Sequence, residues 1–200
     1  MRGFLRVIVG VKYVNKEVLK KQKQFIIVCN HNSHLDTVSL MSVISFSQLK
    51  KTHPIAAGDY FGKSPARSFI TKLFINAILI PRTKTEGGPN PIEMMSESIK
   101  KGDSIILFPE GSRGEPGKMQ QFKKGIGIIL KLHPEIPFIP VYMTGMGKIL
   151  PKGEKLLVPF DSYVIFGEPC YCQFPEVEDI VKQVEQSILH LSTKYSKAEV

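Results

Sequence analysis

Apolar residues fall along this chain in short blocks, and the spacing inside each block separates strands from helices. Val7 to Val14 is β-branched and partly alternating, which predicts a first strand. Phe25 to Cys29 is an uninterrupted apolar run, which predicts a short buried strand. His53 to Ala57, Ala77 to Ile80, Ser104 to Phe108, Pro137 to Tyr142 and Tyr163 to Phe166 predict five more. Asn15 to Gln24 is polar and lysine-rich and reads as a connector. Asp36 to Gln48 carries Val38, Leu40, Met41 and Ile44, a mixed spacing that predicts a helix with a broad apolar face. Ser64-Pro65 predicts another helix start, with proline in the first position, running through Phe69, Leu73 and Phe74. Thr83 to Asn90 holds Gly87-Gly88-Pro89 and reads as a loop. Pro91 to Lys101, closed by Gly102, and Lys123 to His133 predict two further helices. Val177, Ile180, Val181, Val184, Ile188 and Leu191 fall at helical spacing and predict a C-terminal amphipathic helix, about 176–195, packed on the core.

Strands that alternate with helices predict an α/β fold, a sheet covered by helices. The length of 200 residues, without repeat, low-complexity tract or linker, predicts a single domain, 1–200.

The 42% hydrophobic and 22% charged content is that of a globular chain, but the net charge of +9 implies an anionic partner. The basic residues come in scattered pairs (Lys20-Lys21, Lys50-Lys51, Lys100-Lys101, Lys123-Lys124) without a recognition-helix or RNA-platform motif. That pattern argues against nucleic acid and for an anionic membrane surface or a phosphorylated substrate. Three cysteines are too few and too odd in number for a disulfide framework, so a reducing, cytoplasmic setting is expected. Cys29, His31, His34, Cys170 and Cys172 are the only candidates for a metal, and neither CxxC nor HExxH supports one. No apolar run reaches the roughly 18–20 residues of a membrane span, and Met1 to Val11 is too short for a signal peptide. Peripheral membrane contact stays open on this composition, and no transmembrane anchor is visible in the sequence.

Two segments carry chemistry. Asn30-His31-Asn32-Ser33-His34-Leu35-Asp36 follows the second predicted strand. If the chain turns there and starts a helix near Asp36, the carboxylate can fold back onto the His31 imidazole. It would then fix one ring nitrogen and make the other a base, able to activate a substrate hydroxyl. The competing reading is structural: Ser33 and Asp36 also form the Ser-x-x-Asp pattern of a capping box.

Phe108-Pro109-Glu110-Gly111-Ser112-Arg113 follows another buried strand, where α/β proteins place ligands. Gly111 permits a tight turn, from which Glu110 and Arg113 would project. The arginine fork suits a phosphate. An internal Glu–Arg ion pair on a surface turn is the competing reading.

Taken together, the segments resemble the glycerophospholipid acyltransferase family, best known from the 1-acylglycerol-3-phosphate acyltransferases. Asn30 to Asp36 matches its NHxSxxD motif at every fixed position; Ile80-Pro81-Arg82 represents the second motif. Phe108 to Arg113 is the third, continued by Phe122-Lys123-Lys124-Gly125, and Ile136-Pro137-Phe138-Ile139-Pro140-Val141 is the fourth. The resemblance covers about residues 7 to 170. It implies a glycerol-3-phosphate acyltransferase-like fold and transfer of a fatty acyl group from acyl-CoA or acyl-carrier protein to a lysophospholipid hydroxyl, lysophosphatidate foremost. His31 would be the base and Asp36 its orienter, with no enzyme nucleophile, metal or further cofactor. Arg82, Glu110, Gly111 and Arg113 would form the acceptor site. Backbone amides near the third or fourth motif would hold the oxyanion.

Two departures qualify the resemblance. Where family members carry a lysine after the first motif, this chain has Ala56-Ala57-Gly58-Asp59-Tyr60; Lys63 is the nearest substitute. Another lysolipid, for example an aminolipid, is therefore an alternative acceptor, and a non-catalytic lipid-binding protein of the same fold is the rival class. The family often has N-terminal helices that meet the bilayer, whereas this sequence starts almost at the first strand. Either such a segment is missing, or membrane contact rests on basic residues and a small apolar surface such as Phe61, Phe69 and Phe74.

Overall fold

The computed structural model describes residues 11–33, 35–58, 76–81, 88–114, 118–146 and 161–196. Its strands are β1 (Val11–Val14), β2 (Ile26–Cys29), β3 (Thr52–Ala57), β4 (Ile78–Ile80), β5 (Ser104–Leu107), β6 (Phe138–Thr144) and β7 (Ser162–Phe166). Each matches one of the apolar blocks. They form one sheet in the order β1-β7-β6-β2-β5-β3-β4. Neighbours run parallel, apart from the antiparallel pair β6–β7.

β2 lies between β5 and β6 and is buried on both faces, which is why it reads as a continuous apolar run rather than an alternating one. Ile27 and Cys29 face a cluster with Leu40, Met41 and Ile44 of the following helical segment. Ile26 and Val28 face a second cluster with Met95, Ile129, Ile180 and Val184. Each such side chain contributes roughly 1.5–3 kcal/mol by leaving water. Helices thus cover both faces: α1 (Leu35–Val43) on one, and α3 (Pro91–Lys100), α4 (Gly125–Leu132) and α5 (Val177–Ser196) on the other. α4 and α5 approach closely at Gly127, where a Cβ would lie 2.6 Å from the Val177 carbonyl oxygen.

Two expectations need correction. Residues 36–48 are not one helix: Ser45 turns extended, and its hydroxyl accepts the Gln48 N–H to cap a new turn, α2 (Phe46–Leu49). A serine competes for backbone hydrogen bonds, so it ends one helix by starting another. The Asn15–Gln24 connector contains a 3-10 helix, Lys16–Lys21, which buries Val18 and Leu19. Two apolar residues among lysines gave no periodic signal there. The helix expected from Ser64, including Phe69, Leu73 and Phe74, lies outside the described residues, as do Phe61, Lys63 and most of the loop at 83–90.

Three of the four basic pairs acquire a common location. Lys20, Lys21 and Lys23 precede β2, Lys50 and Lys51 precede β3, and Lys100 and Lys101 precede β5. These strands are parallel, so seven exposed lysines gather at one end of the sheet. Side chains tie the three loops together. Gln48 Nε2 donates to the carbonyls of Leu19 and Gln22 at 3.0 and 2.8 Å. Gln24 Nε2 donates to those of Ile99 and Asp103 at 2.7 and 2.9 Å.

Candidate functional site

The other end of the sheet, where β6, β2 and β5 finish side by side, brings the two chemical motifs together. Asn30, directly after β2, is 2% exposed. Its side-chain amide imitates a peptide: Oδ1 accepts the Met143 N–H at 2.7 Å and Nδ2 donates to the Met143 carbonyl at 2.8 Å. The end of β2 is thereby fixed to β6, and alternation turns the next residue, His31, toward the α1 face.

His31 Nδ1 lies 2.9 Å from Asp36 Oδ2. The same oxygen accepts the backbone N–H groups of Asn32 at 2.7 Å and Ser33 at 2.8 Å. Asp36 side chain is fully buried at the first turn of α1. The two readings of this segment therefore coexist: Asp36 closes back on the Ser33 N–H as a capping box requires, and also holds the imidazole. The other half of the box is altered, because Ser33 Oγ accepts from Leu35 N at 3.3 Å. A carboxylate oxygen only accepts, so Nδ1 carries a proton and Nε2 keeps a lone pair. The His31 side chain is 19% exposed. Its ring stacks on Phe108, with centroids 4.1 Å apart and planes 27° from parallel.

The third motif grips His31 by its backbone. Glu110 Oε1 accepts the His31 N–H at 2.8 Å, and Gly114 N donates to the His31 carbonyl at 3.1 Å. Glu110 Oε2 accepts the Gln120 N–H at 3.0 Å. Glu110 was expected to project from its turn; it is instead 2% exposed, with both oxygens committed to backbone amides. Burial pushes its carboxyl above the ordinary value of 4.5, against the opposing pull of the His31 and Gln120 N–H groups. Gly111 has φ +71°, the left-handed region that the tight turn needs. Arg113 follows two residues later, partly exposed. Arg82 and His34 lie outside the described residues.

Sequence reasoning found the His31–Asp36 pair but missed the parts played by Asn30, Phe108 and Gln120. Phe108 had a legible signal: it continues the alternation of Ile106 on β5 and so points to the His31 face. Among the described residues no group of three His, Cys, Asp or Glu side chains could hold a metal ion. Cys29 is buried in the core, where burial raises its thiol well above 9.0.

A family model described as acyltransferase matches residues 10–144. A 1-acyl-sn-glycerol-3-phosphate acyltransferase of Bacillus subtilis is 26% identical over 192 residues, 92% of this chain and 89% of that protein. A chloroplastic 1-acyl-sn-glycerol-3-phosphate acyltransferase of Brassica napus is 30% identical over 146 residues, 72% of this chain. This chain spans only 40% of the length of that plant relative and 38% of one from Arabidopsis thaliana. The fold matches the crystal structure of a 1-acyl-sn-glycerophosphate acyltransferase from Thermotoga maritima with a TM-score of 0.77 at 24% identity, covering 97% of this chain and 76% of that one. With the family model matched over more than half its length, and its chemical motifs brought together at one end of a shared fold, this chain belongs to the acyltransferase family.

Proposed function

We propose that this chain transfers a fatty acyl group from a thioester, acyl-CoA or acyl-carrier protein, to the free hydroxyl of lysophosphatidate, giving phosphatidate. The observation that carries this reading is the 2.9 Å contact between His31 Nδ1 and buried Asp36, which leaves Nε2 as the available base. The acceptor hydroxyl gives its proton to Nε2 while its oxygen attacks the thioester carbonyl carbon. The C–S bond of the tetrahedral intermediate then breaks, and the departing sulfur takes the proton back from Nε2. Asp36 and the facing Phe108 ring stabilise the imidazolium between these steps. The attack is direct, so the enzyme supplies no nucleophile and needs no cofactor beyond the thioester donor. Arg113 and Arg82 hold the acceptor's phosphate.

The acceptor resides in a bilayer, so the chain works peripherally at an anionic membrane surface, on its cytoplasmic face. No helix among the described residues is long and apolar enough to cross a membrane. Lysophosphatidate-dependent release of free thiol from acyl-CoA tests the reaction. His31→Ala, correctly folded, should lose about 10²–10⁴-fold in kcat, the usual worth of a positioned base. Undiminished turnover would remove His31 from the mechanism. His34→Ala, at a variable position of the motif, should stay active.

A further inference from the structure

Of the two adjacent lysines after the third motif, one is paired through its ammonium among the described residues and the other is not. Lys124 Nζ pairs with Glu178 at 2.6 Å. Exposed Lys123 has no hydrogen-bond or ion-pair partner for its ammonium among the described residues, although its backbone is held in place. Its backbone N–H donates to the Pro109 carbonyl at 2.9 Å, and the preceding Phe122 is 5% exposed. The side chain lies across Gly111: a Cβ at that position would stand 2.7 Å from Nζ and 2.8 Å from Cε. An unpaired cation is thus laid on the turn that grips His31 through Glu110 and Gly114. Glu110 makes no ion pair with it, its two oxygens accepting the His31 and Gln120 amides instead. The positive end of α4 begins two residues later, at Gly125, and adds to the local attraction for an anion.

We propose that Lys123 is a phosphate-binding, specificity-determining residue of this site, its ammonium taking the acceptor's phosphomonoester. The proposal rests on the acyltransferase reading above for the identity of that ligand. A solvated lysine on a surface turn would have no such effect, so kinetics separate the two. Lys123→Ala should raise the KM for lysophosphatidate about 10-fold or more, the scale of a lost charge-assisted hydrogen bond. Lys123→Arg should recover most of it, and Lys124→Ala should leave it unchanged. With monoacylglycerol, which lacks the phosphate, Lys123→Ala and wild type should behave alike.

The donor also carries a phosphomonoester, so acyl-CoA and acyl-dephospho-CoA are compared. An acceptor KM that does not move overturns the proposal. So does an increase confined to acyl-CoA and absent with acyl-dephospho-CoA, which would assign Lys123 to the donor. Titration calorimetry with glycerol 3-phosphate reads the site without turnover and should show binding weakened by Lys123→Ala. Equal binding by both proteins would sink the idea even if the enzyme is active. If wild type released no thiol, the reaction would be in error while a weakened Kd for glycerol 3-phosphate would still support the site. Unchanged melting temperatures confirm that each variant is folded.

Discussion

Glu110 Oε1 accepts the backbone N–H of His31 at 2.8 Å across 79 residues of sequence. The carboxylate therefore holds the peptide of the proposed base rather than facing a substrate. In Glu110→Gln an amide NH₂ replaces one of the two acceptors and meets a backbone N–H. Stability should fall by about 1–3 kcal/mol, the cost of a buried unsatisfied donor. The kinetic effect should appear mainly in kcat, as the His31 ring loses its position. Urea unfolding and steady-state kinetics measure both; a rise in acceptor KM with kcat unchanged would instead make Glu110 a substrate contact.

The same carboxyl gives a pH prediction. Its value is raised above 4.5 in the folded chain, chiefly by burial. Folding then favours the protonated form, so Glu110's own contribution to stability is fully present below 4.5 and lost as pH rises through the raised value. The stability difference between wild type and Glu110→Gln should fall with rising pH across that interval. Activity moves oppositely, because the protonated acid no longer offers two acceptors to His31 and Gln120. Its acid limb should include a group titrating above 4.5 that Glu110→Gln lacks. Parallel pH profiles for the two proteins would refute this link.

Asp36→Asn separates cap from chemistry. An amide oxygen in place of Oδ2 can still accept from Asn32 and Ser33, so α1 should keep its start. The new NH₂ would occupy the position of Oδ1, which is buried without a partner among the described residues. A loss of about 1–3 kcal/mol in stability is expected. Turnover should fall by about 10²–10⁴-fold, because a neutral amide does not stabilise an imidazolium. Circular dichroism against thiol release distinguishes the two; a variant that unfolds at room temperature would show the cap to be the larger role.

The proposed membrane association can be tested from where the charge sits. Lys50, Lys51, Lys100 and Lys101 stand at the end of the sheet away from His31. A four-residue strand between the ends spans about 13 Å. That exceeds the Debye length of about 8 Å at 0.15 M salt but not the roughly 30 Å at 0.01 M. Changing the four lysines to glutamine should weaken sedimentation with anionic vesicles at 0.01 M and have little effect at 0.15 M. A large loss at 0.15 M would mean that this lysine end itself touches the bilayer.

Much of this architecture is legible in the apolar pattern, because β2 and β5 are short and buried throughout, β6 is buried over most of its length, and all three are written mainly in apolar residues. The His31–Asp36 pair is legible because its geometry is local: five residues, one turn, one helix start. Glu110 was placed at the right strand end but given the wrong posture. Whether a carboxylate points out or inward to distant amides depends on where β5 lies beside β2, which its neighbours in sequence do not record. Asn30's bond to Met143 is hidden for the same reason, since the partner atoms are backbone and carry no residue identity. The helix split at Ser45 was missed because a buried face running on through Ile44 concealed a local cap.

The clamp around His31 also has a consequence in time. A chain emerging from the ribosome presents His31 and Asp36 early, yet Glu110 and Gly114 arrive some eighty residues later and Met143 after that. Until then the imidazole has its carboxylate but no fixed peptide beneath it. On the proposed reaction, the site stays incomplete through most of synthesis and gains its last tether when β6 pairs with β2 and brings Met143 to Asn30.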